Sequence, residues 1–198
     1  YNSKGGLTHV VKGGRVEDED IRQCTGTYLS SASAAATSFI TMGVDVGSFL
    51  HYEVDEWFLK SHNYTTDVNG IADCRLLKEG KVQDFHELDQ LMYQYSVLFC
   101  VIDIEPEVRL ALEFAQRFTG FVRRCRFTRG VSGKDIKDDE KEMSVQVNRT
   151  SWMDLGLKRF HKHKITLPTD TGLEFKTQSK YRYEYMLKTL MVIRLVVV

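Results

Sequence analysis

Phe39-Ile-Thr-Met-Gly-Val-Asp-Val-Gly-Ser-Phe-Leu-His-Tyr-Glu-Val-Asp-Glu-Trp-Phe58 is the stretch on which the fold turns. By the two-residue period of a strand, Ile40, Met42, Val44 and Val46 share one face, and Thr41, Gly43 and Asp45 share the other. A second alternating run follows, with Leu50, Tyr52 and Val54 apolar and His51, Glu53 and Asp55 between them. Paired residues of a hairpin point to the same side, so the pattern sets the register. A two-residue loop at Gly47-Ser48 would set Asp45 against Leu50 and mix the faces. A three-residue loop, Gly47-Ser48-Phe49, sets Val46 against Leu50 and Asp45 against His51. The second register is expected: it gives one apolar face, and one polar face where Asp45, His51 and Glu53 gather.

Working outward, a strand is expected through Ala72–Lys78 and a turn at Lys78–Lys81. Phe85, Leu88, Leu91, Met92 and Tyr95 fall at helical spacing behind Asp84, a suitable N-cap. Ser96–Ile102 is nearly all apolar, as buried parallel strands are, and it runs into Asp103. Pro106-Glu107 opens a helix with Val108, Ala111, Leu112, Ala115 and Phe118 on one face, closed by Gly120. Phe121–Thr128 returns as a strand. Gly130–Glu142 reads as a charged loop, Met143–Val147 as a strand and Trp152–Phe160 as a helix with Thr150 near its cap. The tail Tyr185–Val198 is β-rich. Three early strands, then alternating helices and strands, give an α/β fold with a mixed sheet of five or more strands and helices on both faces. That order is the one of the ribonuclease-H-like fold. Before it, Ser30–Ser38 is a run of Ser, Ala and Thr, so residues 1–38 read as an N-terminal arm and 39–198 as the folded domain.

The totals fit one sizeable core. The chain has 198 residues, 42% hydrophobic, with 27 basic and 27 acidic side chains, so net charge selects no partner. Cys24, Cys74, Cys100 and Cys125 are widely spaced, and none forms a Cys-x-x-Cys pair. They are expected to be buried thiols rather than a disulfide frame or a zinc site. No apolar run reaches the ~20 residues a membrane-spanning helix needs. The phosphate-binding Gly-x-x-x-x-Gly-Lys-[Ser/Thr] pattern does not occur, so ATP hydrolysis by that route is not expected.

In the expected sheet Asp45 lies on the central strand and Asp103 at the carboxyl end of its parallel neighbour, where α/β sheets place their sites. Two adjacent carboxylates repel unless a cation lies between them. Oxygen ligands without a His/Cys cluster select Mg²⁺ or Mn²⁺, and two such ions catalyse phosphodiester hydrolysis. His51 and Glu53 are candidates to orient water or the ligands. An acid at a strand end also serves as a cap, a reading that stays open for Asp103. Two basic clusters are candidates for DNA phosphates: Arg123, Arg124, Arg126 and Arg129; and Lys158, Arg159, Lys162 and Lys164 with His161 and His163. A solvated strand edge and a helix C-terminus would account for them equally well.

Taken together, Met42-Gly-Val-Asp-Val-Gly47, Leu50-His51, Lys81-Val-x-x-Phe85-x-Glu-Leu-Asp89-x-Leu-Met92, Val101-Ile-Asp-x-x-Pro-Glu107, Asn148-Arg-Thr-x-Trp-Met-Asp154 and Ile165-Thr-Leu-Pro168 resemble the nuclease half of bacteriophage terminase large subunits. The resemblance implies a metal-dependent endonuclease that cuts concatemeric viral DNA during packaging, with Asp45 and Asp103 as ligands of the catalytic metals. It implies double-stranded DNA, the terminase ATPase domain, the small terminase subunit and the portal as partners, at the procapsid in the host cytoplasm. The isolated domain is expected to be monomeric. The family also brings a third acid from a C-terminal helix. Nothing after Tyr183 matches it and Met186–Val198 holds no acid, so the domain is expected to stop short of that helix, with Asp154 and Asp170 as the nearest substitutes. Two other readings are a resolvase- or integrase-type nuclease of the same fold, and a non-catalytic docking domain of the motor.

Overall fold

A computed structural model describes residues 16, 18–30, 32–34, 38–58, 73–128 and 136–170. Its elements are α1 (Asp18–Gln23), β1 (Phe39–Val46), β2 (Leu50–Phe58), β3 (Asp73–Val82), α2 (Phe85–Gln94), β4 (Phe99–Asp103), α3 (Val108–Arg117), β5 (Val122–Thr128), β6 (Ile136–Asp139), β7 (Ser144–Asn148), α4 (Arg149–His161) and β8 (Ile165–Thr166). The strands form one sheet in the order β6-β7-β5-β4-β1-β2-β3-β8. β1, β2 and β3 are antiparallel neighbours, while β4 runs parallel to β1 and β5 parallel to β4. This central order, β3-β2-β1-β4-β5, is the ribonuclease-H-like α/β arrangement expected from the sequence.

The two faces of the sheet carry separate cores. Ile40, Met42, Val44 and Val46 of β1 pack with Leu50, Tyr52 and Val54 of β2 beneath α2 and α3. The other core gathers Trp57, Cys74, Leu76, Phe99, Val101 and Cys125 beneath Trp152, Leu157 and Phe160 of α4. The alternation in β1 therefore sends its apolar residues to α2 and α3, and Thr41, Gly43 and Asp45 to the opposite face. α2 begins with a capping box: the Asp84 carboxylate accepts from the Glu87 N–H, and the Glu87 side chain accepts in return from the Asp84 N–H.

Several elements depart from the sequence reading. Lys78–Lys81, expected as a turn, lies inside β3, which continues to Val82. Gly80 suits that strand because Tyr52 lies across from it: a Cβ there would fall 2.9 Å from the Tyr52 hydroxyl oxygen. Leu76 and Leu77 are both buried, one in each core, by strand alternation, and a register shift against β2 falls between Val54 and Asp55. β6 occupies part of the stretch read as a loop, paired antiparallel with β7 at the sheet edge. α4 starts earlier than expected, capped by the Asn148 side chain rather than by Thr150.

Part of the stretch read as an arm is folded onto the sheet. Val16, Ile21 and Cys24 join the α4 core, and Thr25 bridges Leu167. The Tyr28 hydroxyl reaches the carbonyls of Leu76 (2.8 Å) and Thr166 (2.7 Å), tying β3 to β8. The β-rich tail, Tyr185–Val198, lies outside the described residues.

Candidate functional site

The hairpin register is the one the alternation dictates: Asp45 pairs with His51, and Val46 with Leu50, around the Gly47-Ser48-Phe49 turn. The Gly47 N–H closes that turn on the Phe49 carbonyl at 3.1 Å. On the other side of β1, the parallel ladder with β4 runs from Thr41–Phe99 to Val44–Ile102. One further step brings Asp103 alongside Asp45, at the spacing of neighbouring strands, roughly 4.8 Å. Val44 and Ile102 point into the α2/α3 core, so the two acids point to the opposite face. Both are half-buried, at the carboxyl ends of their strands.

The same level of the sheet continues across β2 and β3. Asp45 pairs with His51, and His51 pairs with Lys81. A row of four side chains, Asp103, Asp45, His51 and Lys81, thus crosses four strands on one face. One step down, Gly43 pairs with Glu53, and Glu53 with Glu79. Glu53 is 7% exposed, and it lies beside Gly43, which presents no side chain between it and β4. Burial holds the His51 imidazole below its ordinary value; the Asp45 carboxylate raises it, and the Lys81 ammonium lowers it further. The Lys81 ammonium lies 4.8 Å from the centre of the Phe49 ring, a cation–π contact that ties β3 to the turn following Asp45.

The donor set suits a hard divalent cation. Mg²⁺ keeps several of its waters and takes one or two carboxylates together with substrate phosphate, which Asp45 and Asp103 can provide. Among the described residues no group of three or more His, Cys, Asp or Glu side chains is gathered as a metal site. The substitutes considered for a third acid do not add one. Asp170 sits at the β8 edge, three strands from β1, where it accepts hydrogen bonds from the Ser30 N–H (2.8 Å) and hydroxyl (2.7 Å). Those bonds lower its carboxyl below the usual range. Asp154 is exposed on α4.

The basic clusters divide sharply. Arg123 is buried, donates to Asp138 at 3.0 Å and stacks over Phe99, so it fastens β6 to β5. Arg124 donates to the Glu142 carbonyl at 2.6 Å. Arg159 is 1% exposed; it lies 4.5 Å over the Trp57 ring and donates to the Lys164 carbonyl at 3.3 Å. Lys164 bonds Asp73 at 2.9 Å. These four cations hold the fold together. Arg126, with Glu105 at 4.0 Å, and Lys158 and Lys162 on the outer side of α4 and its cap, are the ones available to solvent. Arg129 lies outside the described residues. Residue type alone does not separate the two sets, because their partners are distant in sequence.

Fold and site together make an α/β chain with a ribonuclease-H-like sheet and an acid pair at the ends of two central parallel strands. No family model and no curated protein matches this chain. Among solved structures, the yeast mitochondrial Holliday junction resolvase Ydc2 is similar, with a TM-score of 0.38 and 9% identity, over 91% of this chain and 86% of that one. Among the described residues, no helix is long and apolar enough to cross a membrane.

Proposed function

We propose that this chain is a metal-dependent nuclease of the ribonuclease-H-like type. The observation that carries the reading is the placement of Asp45 beside Asp103, on one face and at the carboxyl ends of parallel neighbours β1 and β4. Side by side at the carboxyl ends of two central strands, the two carboxylates concentrate negative charge, and a hard cation relieves it. When bound, Mg²⁺ or Mn²⁺ would activate a water and stabilise the leaving oxygen of a phosphodiester. The chain's own part is to fix those oxygens on two hydrogen-bonded strands, so that their separation is set by the sheet. His51, whose imidazole burial holds below its ordinary value, flanks Asp45 as a positioning group, with Glu53 one step behind. A second ion needs oxygen ligands beyond these two acids.

The finer reading, a packaging nuclease that cuts concatemeric viral DNA beside a terminase ATPase, small subunit and portal in the host cytoplasm, rests on the sequence resemblance. A resolvase-type nuclease is the alternative on the same catalytic pair. The two differ in substrate, so one assay separates them. Purified protein with Mn²⁺ is given linear duplex, supercoiled plasmid or a four-way DNA junction, beside Asp45→Ala and an EDTA control. Cutting of plain duplex, lost in both controls, supports the packaging reading; cutting confined to the junction supports the resolvase type. A folded protein that cuts none of them in Mn²⁺ or Mg²⁺ would count against the nuclease reading and favour a docking domain.

A further inference from the structure

The row that carries the acid pair ends in a cation. Lys81 stands two strands from Asp45, roughly 10 Å at ordinary strand spacing, on the same face and at the same level. Its direction follows from its neighbours: Val82 and Gly80 pair with Leu50 and Tyr52, whose side chains enter the α2/α3 core, so Lys81 faces the other way with His51. The acids Asp45, Asp103, Glu53 and Glu79 share that face. Among the described residues of β1 to β4, Lys81 is the lysine or arginine that joins them there, since Arg75 and Lys78 pair with Glu56 and Val54 on the opposite face. It is exposed, and the Phe49 ring restrains its ammonium at 4.8 Å.

Resting on the nuclease reading, we propose that Lys81 binds a backbone phosphate of the DNA strand whose scissile phosphate sits at Asp45 and Asp103. A strand laid along the row meets the acid pair at one end and the ammonium at the other. A DNA strand carries one phosphate per ~3.4 Å of helix axis, so Lys81 is level with a phosphate a few nucleotides from the cut. It therefore sets the direction in which the strand crosses the sheet. The contact carries no base information; Lys81 is a positioning residue and not a catalytic one.

The test measures binding apart from cutting. Wild type, Lys81→Ala, Lys81→Arg and Lys141→Ala, the last an exposed lysine between β6 and β7, are titrated into fluorescent duplex DNA in Ca²⁺ at several salt concentrations. Cutting in Mn²⁺ is followed in parallel. Lys81→Ala should weaken binding several-fold at low salt and flatten the log K against log salt slope by about 0.9, the share of one phosphate. Its KM should rise with kcat little changed. Lys81→Arg should restore the slope, and Lys141→Ala should match wild type. Wild-type binding and cutting with an unchanged Lys81→Ala slope would overturn this assignment and leave the nuclease reading standing. A folded wild type that neither binds nor cuts DNA would overturn both.

Discussion

Asp103 of β4 lies one step past the Ile102–Val44 pair, alongside Asp45 of β1, and neither carboxylate faces the apolar core that Val44 and Ile102 fill. The pair is set by parallel-strand register, so its geometry does not depend on loop conformation. Its chemistry can be tested without a nuclease assay. Anything that binds the native state alone raises stability by RT ln(1 + [L]/Kd), about 2.7 kcal/mol at a hundredfold excess over Kd. Mn²⁺ or Mg²⁺ should therefore raise the melting temperature of the wild type. In Asp45→Asn the shift should disappear, with the metal-free melting temperature no lower than that of wild type, because neutralising one acid relieves repulsion. An equal metal shift in the variant would remove Asp45 from the ligand set.

Arg123 should matter for stability and not for DNA. It is 9% exposed at its side chain, donates to Asp138 and lies over Phe99. Removing it takes away a charge-assisted hydrogen bond that fastens the edge strand, so Arg123→Ala should cost about 2 kcal/mol in a denaturant melt. Under conditions where both proteins are folded, the salt slope of DNA binding should be unchanged. A flattened slope with unaltered stability would return Arg123 to the phosphate-binding set.

The four thiols should be silent in the native protein. Cys24, Cys74, Cys100 and Cys125 are all buried, and none is in a disulfide. Burial pushes the Cys74 thiol up to about 12 and the Cys24 thiol up to about 11, and reactivity follows the thiolate. A thiol reagent at neutral pH should label none of the four within the time that denatured protein takes to label fully. Fast labelling of any one in folded protein would place it nearer the surface than its burial indicates.

How far the sequence carried depended on whether a feature was local. The Asp45–His51 pairing was legible because alternation on both sides of Gly47 admits one loop length that keeps the faces unmixed. Asp103 was legible because an unbroken apolar run leads to it. Lys81 was not, since Lys78-Glu-Gly-Lys81 has the composition of a turn; the strand persists there because Tyr52 fills the space that Gly80 leaves open. β6 was missed for want of alternation: Ile136–Asp139 is an edge strand with an exposed, acidic surface. The buried roles of Arg123 and Arg159 depend on Asp138 and Trp57, which only the folded chain brings to them. Local pattern thus reached the acid pair and stopped at residues whose environment is assembled from afar.

Gly80 offers the sharpest check on that registration of β3. An alanine Cβ at this position would lie 2.9 Å from the Tyr52 hydroxyl oxygen and 3.2 Å from two ring atoms. Tyr52 is buried, so it has little room to yield, and Gly80→Ala should destabilise by about 1–3 kcal/mol as an overpacked core site does. The clash is specific to one partner, so a double-mutant cycle isolates it. In a Tyr52→Leu background, which removes the ring and hydroxyl that the Cβ would meet, Gly80→Ala should cost markedly less. Equal costs in the two backgrounds would mean that Gly80 does not lie across from Tyr52. Lys81 would then lose its place beside His51 as well, since the two pairings belong to one ladder.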